Sequence, residues 1–153
     1  MLFIALSIFL LSQSSVQTFL AKKITSSINS KYGTEIHVGK IDLSSLKDVE
    51  LNDVLILDHH KDSMIYVSSL TSSFKDLKAV LHSEYKLQKT SLTDGFLRMA
   101  TYEGDSTNNL TLFVRAFDSG KESETTFKLS APKLLLENID FTLVDENKDI
   151  EPI

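Results

Sequence analysis

The fold is decided by a hairpin pattern at residues 54–67, which read VLILDHHKDSMIYV. Two apolar runs, residues 54–57 and 64–67, flank a polar segment that begins at Asp58. Short apolar runs bounded by polar turn residues are typical of paired β-strands. The pattern therefore predicts two strands joined by a polar hairpin loop over residues 58–63.

Further strand patterns lie on both sides of this hairpin. Short alternating runs around Ile36, Ile41 and residues 49–51 precede it, and sheet is expected to resume at about Leu87. Between the hairpin and Leu87, residues 70–85 carry apolar side chains at helical spacing, which predicts a helical interruption. The resulting expectation is a mainly β structure with an N-terminal α-helix.

A weak repeat occurs three times: LNDVLI at 51–56, LTDGFL at 92–97 and LENIDF at 136–141. Each copy has a leucine, an Asp or Asn two residues later, and an apolar residue five later. A plain strand keeps one face by even steps, so the odd offset predicts a bulge or tight bend near the Asp or Asn. Spacing of roughly forty residues predicts a structural repeat that extends a sheet.

Residues 1–11 read MLFIALSIFLL, and no charged side chain appears before Lys22. As a helix rising ~1.5 Å per residue, this run covers about half of a ~30 Å bilayer core. A membrane anchor that continues into an amphipathic helix, together spanning 1–32, explains both its apolarity and its shortness. The predicted anchor residues are Leu2, Phe3, Ile4, Leu6, Ile8, Phe9, Leu10 and Leu11.

Two alternatives for this segment stay open. A secretory signal with a cleavage site at residues 12–14 is one, although the basic n-region of such signals is missing. A buried core helix is the other, and it requires a large surrounding domain.

The amphipathic part of this segment has its own pattern. Val16, Leu20, Ile24 and Ile28 recur every fourth residue, which predicts a helix whose apolar stripe packs on the first strands. Gly33 stands where a left-handed C-terminal cap is expected.

Composition excludes several classes of function. The 153 residues carry a net charge of −5 with scattered basic residues, so no nucleic-acid partner is predicted. The absence of cysteine removes disulfides, thiolate metal sites and cysteine nucleophiles. Few Gly and Pro are present, so we place no linker in the chain. Residues 33–153 are expected to be one β-rich region, incomplete in itself.

The most tempting chemical motif is Asp58-His59-His60 at the end of an apolar strand. It resembles the signature of the DHH phosphoesterases, in which such residues bind divalent metal. That family also uses an upstream Asp-x-Asp loop, whereas Asp42 and Asp48 occur singly here. The hairpin-loop interpretation is preferred, and a metal-dependent phosphoesterase fragment is kept as an alternative.

No other catalytic pattern is present in the sequence. A nucleophile elbow of the Gly-x-Ser-x-Gly type and a phosphate-binding glycine loop are both missing. We therefore predict a non-enzymatic protein with no catalytic residue, no metal ligand and no cofactor.

Several short segments together resemble the N-terminal region of Bacteroidetes-type TamB proteins (translocation and assembly module subunit TamB) of the AsmA-like superfamily. The first group comprises residues 16–23 (VQTFLAKK), 31–36 (KYGTEI), 41–43 (IDL), 49–54 (VELNDV) and 58–62 (DHHKD). The second comprises 109–110 (NL), 113–114 (FV), Phe117, 136–138 (LEN) and 145–147 (DEN).

The resemblance implies an inner-membrane, single-pass anchor and a periplasmic body whose antiparallel sheet curls into an apolar groove. It also implies a role in outer-membrane biogenesis, through phospholipid transport or outer-membrane protein assembly. The implied partners are phospholipid acyl chains and a TamA-like outer-membrane barrel. Candidates for the groove face are Val54, Ile56, Ile65, Val67, Ile139, Phe141 and Leu143. The rival interpretation is a secreted β-rich binding module with a cleaved signal.

Overall fold

The computed structural model describes residues 13–42, 48–74, 84–117, 128–130 and 133–148. Its elements in chain order are α1 (Ser14–Tyr32), β1 (Glu35–Asp42), β2 (Asp48–Leu57), β3 (Ser63–Phe74), β4 (Glu84–Thr101), α2 (Asn109–Phe117), β5 (Lys128–Ser130) and β6 (Lys133–Asp145). The prediction of a mainly β structure with an N-terminal helix is confirmed. All the predicted anchor residues, at positions 2–11, lie outside the described residues.

The first four strands form an antiparallel meander in sequence order. In the β2–β3 hairpin, Val54 lies opposite Val67 and Ile56 opposite Ile65, which confirms the hairpin predicted for this stretch. The polar loop between these strands covers residues 58–62.

The sheet as a whole is mixed, so the expectation of an antiparallel sheet throughout is wrong. Strands β5 and β6 follow one another along the outer side of β4, and both run parallel to it. The chain leaves one end of β4 and returns to the other end through a crossover that contains α2, and a parallel pair requires such a connection. The sheet is open, with β1 at one edge and β6 at the other.

A bend crosses the sheet at the repeated Asp and Asn positions. Asp53, Asp94 and Asn138 have φ of 53°, 53° and 54°, the left-handed region in which Asp and Asn are tolerated. The pairing register is unchanged across the bend, since Asn52 lies opposite Ser69 and Val54 opposite Val67. The predicted tight bend is therefore confirmed, and it contains no inserted residue. We call the row Gly39, Asp53, Ser68, Asp94 and Asn138 the bend line.

Side chains and close backbone contacts hold the bend line together. The Asn138 amide donates to Asp94 Oδ1 at 2.6 Å, and the Tyr66 hydroxyl donates to Asp53 Oδ1 at 3.0 Å. A Cβ at Gly95 would lie 2.0 Å from the carbonyl oxygen of Tyr66 and 2.8 Å from Cα of Val67. Only glycine permits β3 and β4 to approach this closely.

Helix α1 lies along the outer edge of β1. Its Asn29 side chain accepts a hydrogen bond from the backbone N–H of Ile36 at 2.9 Å and donates to the same residue's carbonyl at 2.8 Å. One side chain thus replaces a strand partner, which protects an edge that would otherwise pair with other chains. Gly33 caps the helix at φ 67°, as predicted.

The face that α1 turns inward differs from the predicted apolar stripe. Its buried residues are Gln17, Ala21 and Thr25, whereas Ile24 is 49% exposed. The helix covers a polar strand edge, so a small side chain and hydrogen-bonding groups are favoured at the contact. The predicted helix is confirmed, but its predicted packing face is wrong by one position.

One further expectation is wrong, and one helix was not predicted. Residues 70–74 belong to β3 and are not helical, because Leu70 pairs with Leu51 and Leu92 on neighbouring strands. Residues 75–83 of the predicted helical stretch lie outside the described residues, and residues 84–85 belong to β4. Helix α2 was not predicted, although Leu110, Phe113, Val114 and Phe117 have helical spacing.

Candidate functional site

The seven residues predicted for the groove lie in three rows on one face of the sheet. Directly opposite residues of paired strands share a face, and so do residues two apart along a strand. The first row is Val38, Val54, Val67, Gly95 and Ile139. The second is Ile36, Ile56, Ile65, Leu97 and Phe141, and the third pairs Met99 with Leu143. We call these rows the apolar face.

Exposure on the apolar face rises toward β6. Val54 and Val67 are 6% and 3% exposed, and Ile56, Ile65 and Ile139 are half-buried. Phe141 and Leu143, in contrast, are 62% and 74% exposed. The center of the face is therefore already packed, while its β6 side presents large apolar side chains to solvent.

The same strand bears two more exposed leucines on the other side of the bend line, Leu134 and Leu136. Leu136 ends a further apolar row, separate from the three rows of the apolar face, which crosses all five long strands: Ile41, Leu51, Leu70, Leu92 and Leu136. On each of these strands, the neighbouring residue on the bend-line side is polar and lies on the opposite face of the sheet: Lys40, Asn52, Ser69, Thr93 and Glu137. This part of the sheet is thus amphipathic, and its most exposed apolar residues lie on β6.

A polar cluster lies at one end of the sheet, where three loops meet. These are the β2–β3 loop with Asp58, the β4–α2 loop that starts at Tyr102, and the turn after β6 that contains Asn147. The Asn147 amide donates to the carbonyls of Tyr102 at 3.1 Å and Asp105 at 2.9 Å, and its oxygen accepts from Gly104 N–H at 3.0 Å. This one side chain joins the β6 turn to the β4–α2 loop.

The center of the cluster is the Asp58 carboxylate, which is 4% exposed. Its Oδ1 accepts the backbone N–H groups of His60 at 2.9 Å and Asp62 at 3.1 Å. Its Oδ2 accepts the Tyr102 hydroxyl at 2.6 Å and the Asn109 amide at 2.9 Å. Burial alone raises the pKa of Asp58, but these four hydrogen bonds outweigh it and lower the pKa below its usual value. All the acceptor capacity of this carboxylate is used inside the fold.

Tyr102 and Asn109 extend the network into β4 and α2. Burial and the hydrogen bond to Asp58 raise the pKa of Tyr102 to about 12, so its hydroxyl stays protonated as a donor. Asn109, 1% exposed, also accepts from Ala100 N–H at 2.9 Å and donates to the Arg98 carbonyl at 3.2 Å. Its side chain thus satisfies backbone groups of β4 beyond Leu97, the last β4 residue paired with β3.

The Asp58-His59-His60 motif, which was singled out from the sequence, is split between the interior and the surface of the molecule. Asp58 is turned inward as a structural carboxylate, whereas His59 and His60 stay at the surface. The His59 imidazole lies 2.8 Å from Asp105 Oδ2, and His60 Nε2 lies 3.7 Å from the same oxygen. Sequence reasoning missed Tyr102, Asp105 and Asn109, because no local motif signals a loop contact more than forty residues away.

Comparisons of the chain with protein-family models, with curated proteins and with solved structures each give no match. The resemblance to TamB proteins therefore stays a prediction. Among the helices of the described residues, none combines the length and apolarity needed to cross a bilayer.

Proposed function

We propose that this chain is a membrane-anchored, non-enzymatic envelope protein of the TamB and AsmA-like type, which holds phospholipid acyl chains on its apolar face. It takes part in outer-membrane biogenesis, in the inner membrane with its bulk in the periplasm, and a TamA-like barrel is its proposed protein partner. The observation that supports this proposal is the exposure of the apolar side chains of Phe141 and Leu143 at the β6 end of two rows of the apolar face.

Leaving the apolar side chains of Phe141 and Leu143 in water is unfavourable. Contiguous exposed apolar surface on a soluble domain marks a site of interaction or ligand binding. Each acyl methylene that leaves water contributes about 0.8 kcal/mol, so five methylenes placed against β6 contribute about 4 kcal/mol. The buried side chains of Val54 and Val67 form the packed center of the apolar face, which gives such a chain a rigid apolar boundary.

The absence of tryptophan makes a direct test practical. Phe141→Trp places a single tryptophan on the apolar face. Thr142→Trp places a single tryptophan one residue further along the same strand, on the opposite face of the sheet. Both positions are exposed, so both variants are expected to fold. The full chain is reconstituted with vesicles whose phospholipids carry bromine on their acyl chains, because bromine quenches tryptophan only at short range.

We expect strong quenching for Phe141→Trp and little for Thr142→Trp. The difference between the variants separates acyl-chain binding by this face from mere proximity of the anchored protein to the bilayer. Equal quenching of the two variants, or none in either, would contradict the proposal. Photocrosslinkers at Ile56 and Phe141 extend the test to cells, where lipid adducts are expected at both residues.

A further inference from the structure

The surface of the loop cluster contains three potential metal ligands that come from two distant parts of the chain. His59 and His60 belong to the β2–β3 loop, and Asp105 belongs to the β4–α2 loop. One ligand atom from each lies within 4.8 Å of the other two. All three side chains are partly exposed, so an ion can reach them.

We propose that His59, His60 and Asp105 bind a divalent transition-metal ion of the Zn²⁺ class. Two imidazoles and a carboxylate are ligands that Zn²⁺ accepts, whereas Ca²⁺ and Mg²⁺ prefer oxygen ligands alone. The three ligands leave one tetrahedral position for water or an outside ligand.

The existing distances are close to those of such a site. Bonds of ~2.0–2.1 Å in a tetrahedron place ligand atoms about 3.4 Å apart. The separation of His59 Nε2 from Asp105 Oδ2 is 2.8 Å, and that of His60 Nε2 from the same oxygen is 3.7 Å. Two of the three separations thus lie within about 0.6 Å of the tetrahedral spacing, and the two imidazole ligand atoms lie within 4.8 Å of each other.

Hydrogen bonds fix the backbone of both loops that carry the proposed ligands. Asp58, buried below the loop, accepts the His60 N–H, while the Asp105 N–H donates to the Tyr102 carbonyl at 2.9 Å. Asn147 holds the Asp105 carbonyl. These backbone bonds hold the two loops in position before a metal ion binds, so less ordering is needed on binding. Bound metal would cross-link the two loops and raise the stability of the folded state.

The experiment titrates the full chain with Zn²⁺ by calorimetry and with Co²⁺ by visible absorption. The ligand variants are His60→Ala and Asp105→Asn, the second of which keeps the side-chain shape. His37→Ala is the matched control, since His37 is also an exposed histidine beside a carboxylate, Glu35. Circular dichroism establishes that each variant is folded.

We expect the wild type to give the Co²⁺ absorption bands of four-coordinate sites and to gain thermal stability with Zn²⁺. Each ligand variant is expected to lose about tenfold or more in Zn²⁺ affinity, and His37→Ala less than about twofold. The proposal would be overturned by a wild type that shows neither bands nor a melting shift, or by equal losses in His37→Ala. If His60→Ala fails to fold, Asp105→Asn alone decides the outcome.

Discussion

Replacement of Asp58 by Asn tests whether the buried carboxylate organises the loop end of the sheet. The substitution preserves size and shape and removes one of the two acceptor oxygens. Each oxygen now accepts two hydrogen bonds: Oδ1 from the N–H groups of His60 and Asp62, and Oδ2 from Tyr102 and Asn109. Whichever way the new amide is oriented, its NH₂ group faces two donors.

The two orientations have different costs. With the NH₂ toward Tyr102, the hydroxyl can rotate and accept, but the Asn109 amide keeps only the Arg98 carbonyl of its two acceptors. With the NH₂ toward the loop, both backbone N–H groups lose theirs. A buried donor left unpaired costs about 1–3 kcal/mol, and the remaining bonds lose the strength that a charged acceptor provides. The expected loss in free energy of unfolding is about 3 kcal/mol.

Urea unfolding followed by circular dichroism measures this loss. For a chain of 153 residues, about 3 kcal/mol corresponds to a fall in melting temperature of about 6–12 °C. Asp62→Asn is the matched control, because Asp62 lies in the same loop and is exposed, and the bond that its side chain accepts from Tyr102 at 3.1 Å can also be accepted by an asparagine oxygen. Its effect should stay within about 0.5 kcal/mol. If Asp58→Asn is no more destabilising than Asp62→Asn, the carboxylate does not hold the three loops together.

Two further predictions concern the bend line and the covered edge. Gly95→Ala is expected to destabilise by about 3 kcal/mol, since its Cβ meets backbone atoms of β3. Gly33→Ala meets no atom within 4 Å but has a φ of 67°, so it measures the cost of a left-handed alanine alone, about 1 kcal/mol; a loss at Gly95 no larger than that at Gly33 would refute the close approach. Asn29→Asp keeps the acceptor for Ile36 N–H but removes the donor to its carbonyl, so about 1–2 kcal/mol should be lost in chemical unfolding. Ser30→Ala, on the exposed side of α1, should have almost no effect, and equality of the two changes would refute the edge-covering role of Asn29.

The hairpin and the bend were predictable because their signals are local. Apolar runs around Asp58 indicate paired strands, and the odd offset after Leu136 requires that alternation be interrupted at Asn138. The structure places a left-handed residue at that position and at the matching positions of two other strands. Asp and Asn adopt a left-handed backbone more readily than other non-glycine residues, so a repeated Asp or Asn at the interruption favours this conformation.

The parallel position of β6 and the polar cluster were not predictable in the same way. Both depend on a crossover that brings residues after 132 beside β4, and no pattern in either strand specifies the direction of its neighbour. The partners of Asp58 lie 44 and 51 residues away along the chain. Their identity depends on the packing of loops that are distant in sequence, so the structural role of Asp58 could not be read from the motif itself.

The two edges of the sheet are treated differently, and this difference indicates where the molecule interacts. At β1, the Asn29 side chain occupies the N–H and the carbonyl of Ile36, and α1 packs along the strand. At β6, the described residues provide a strand partner on the β4 side only, and four large apolar side chains of this strand are exposed. Natural sheets usually protect an edge with charge, proline or a covering element. The β6 strand carries charged residues at positions 133, 137, 140 and 145, but in the described residues no helix covers it. Because Phe141 and Leu143 are exposed there, this edge is suited to contact with an apolar ligand or an added strand, which makes β6 the first element on which to test the proposed function.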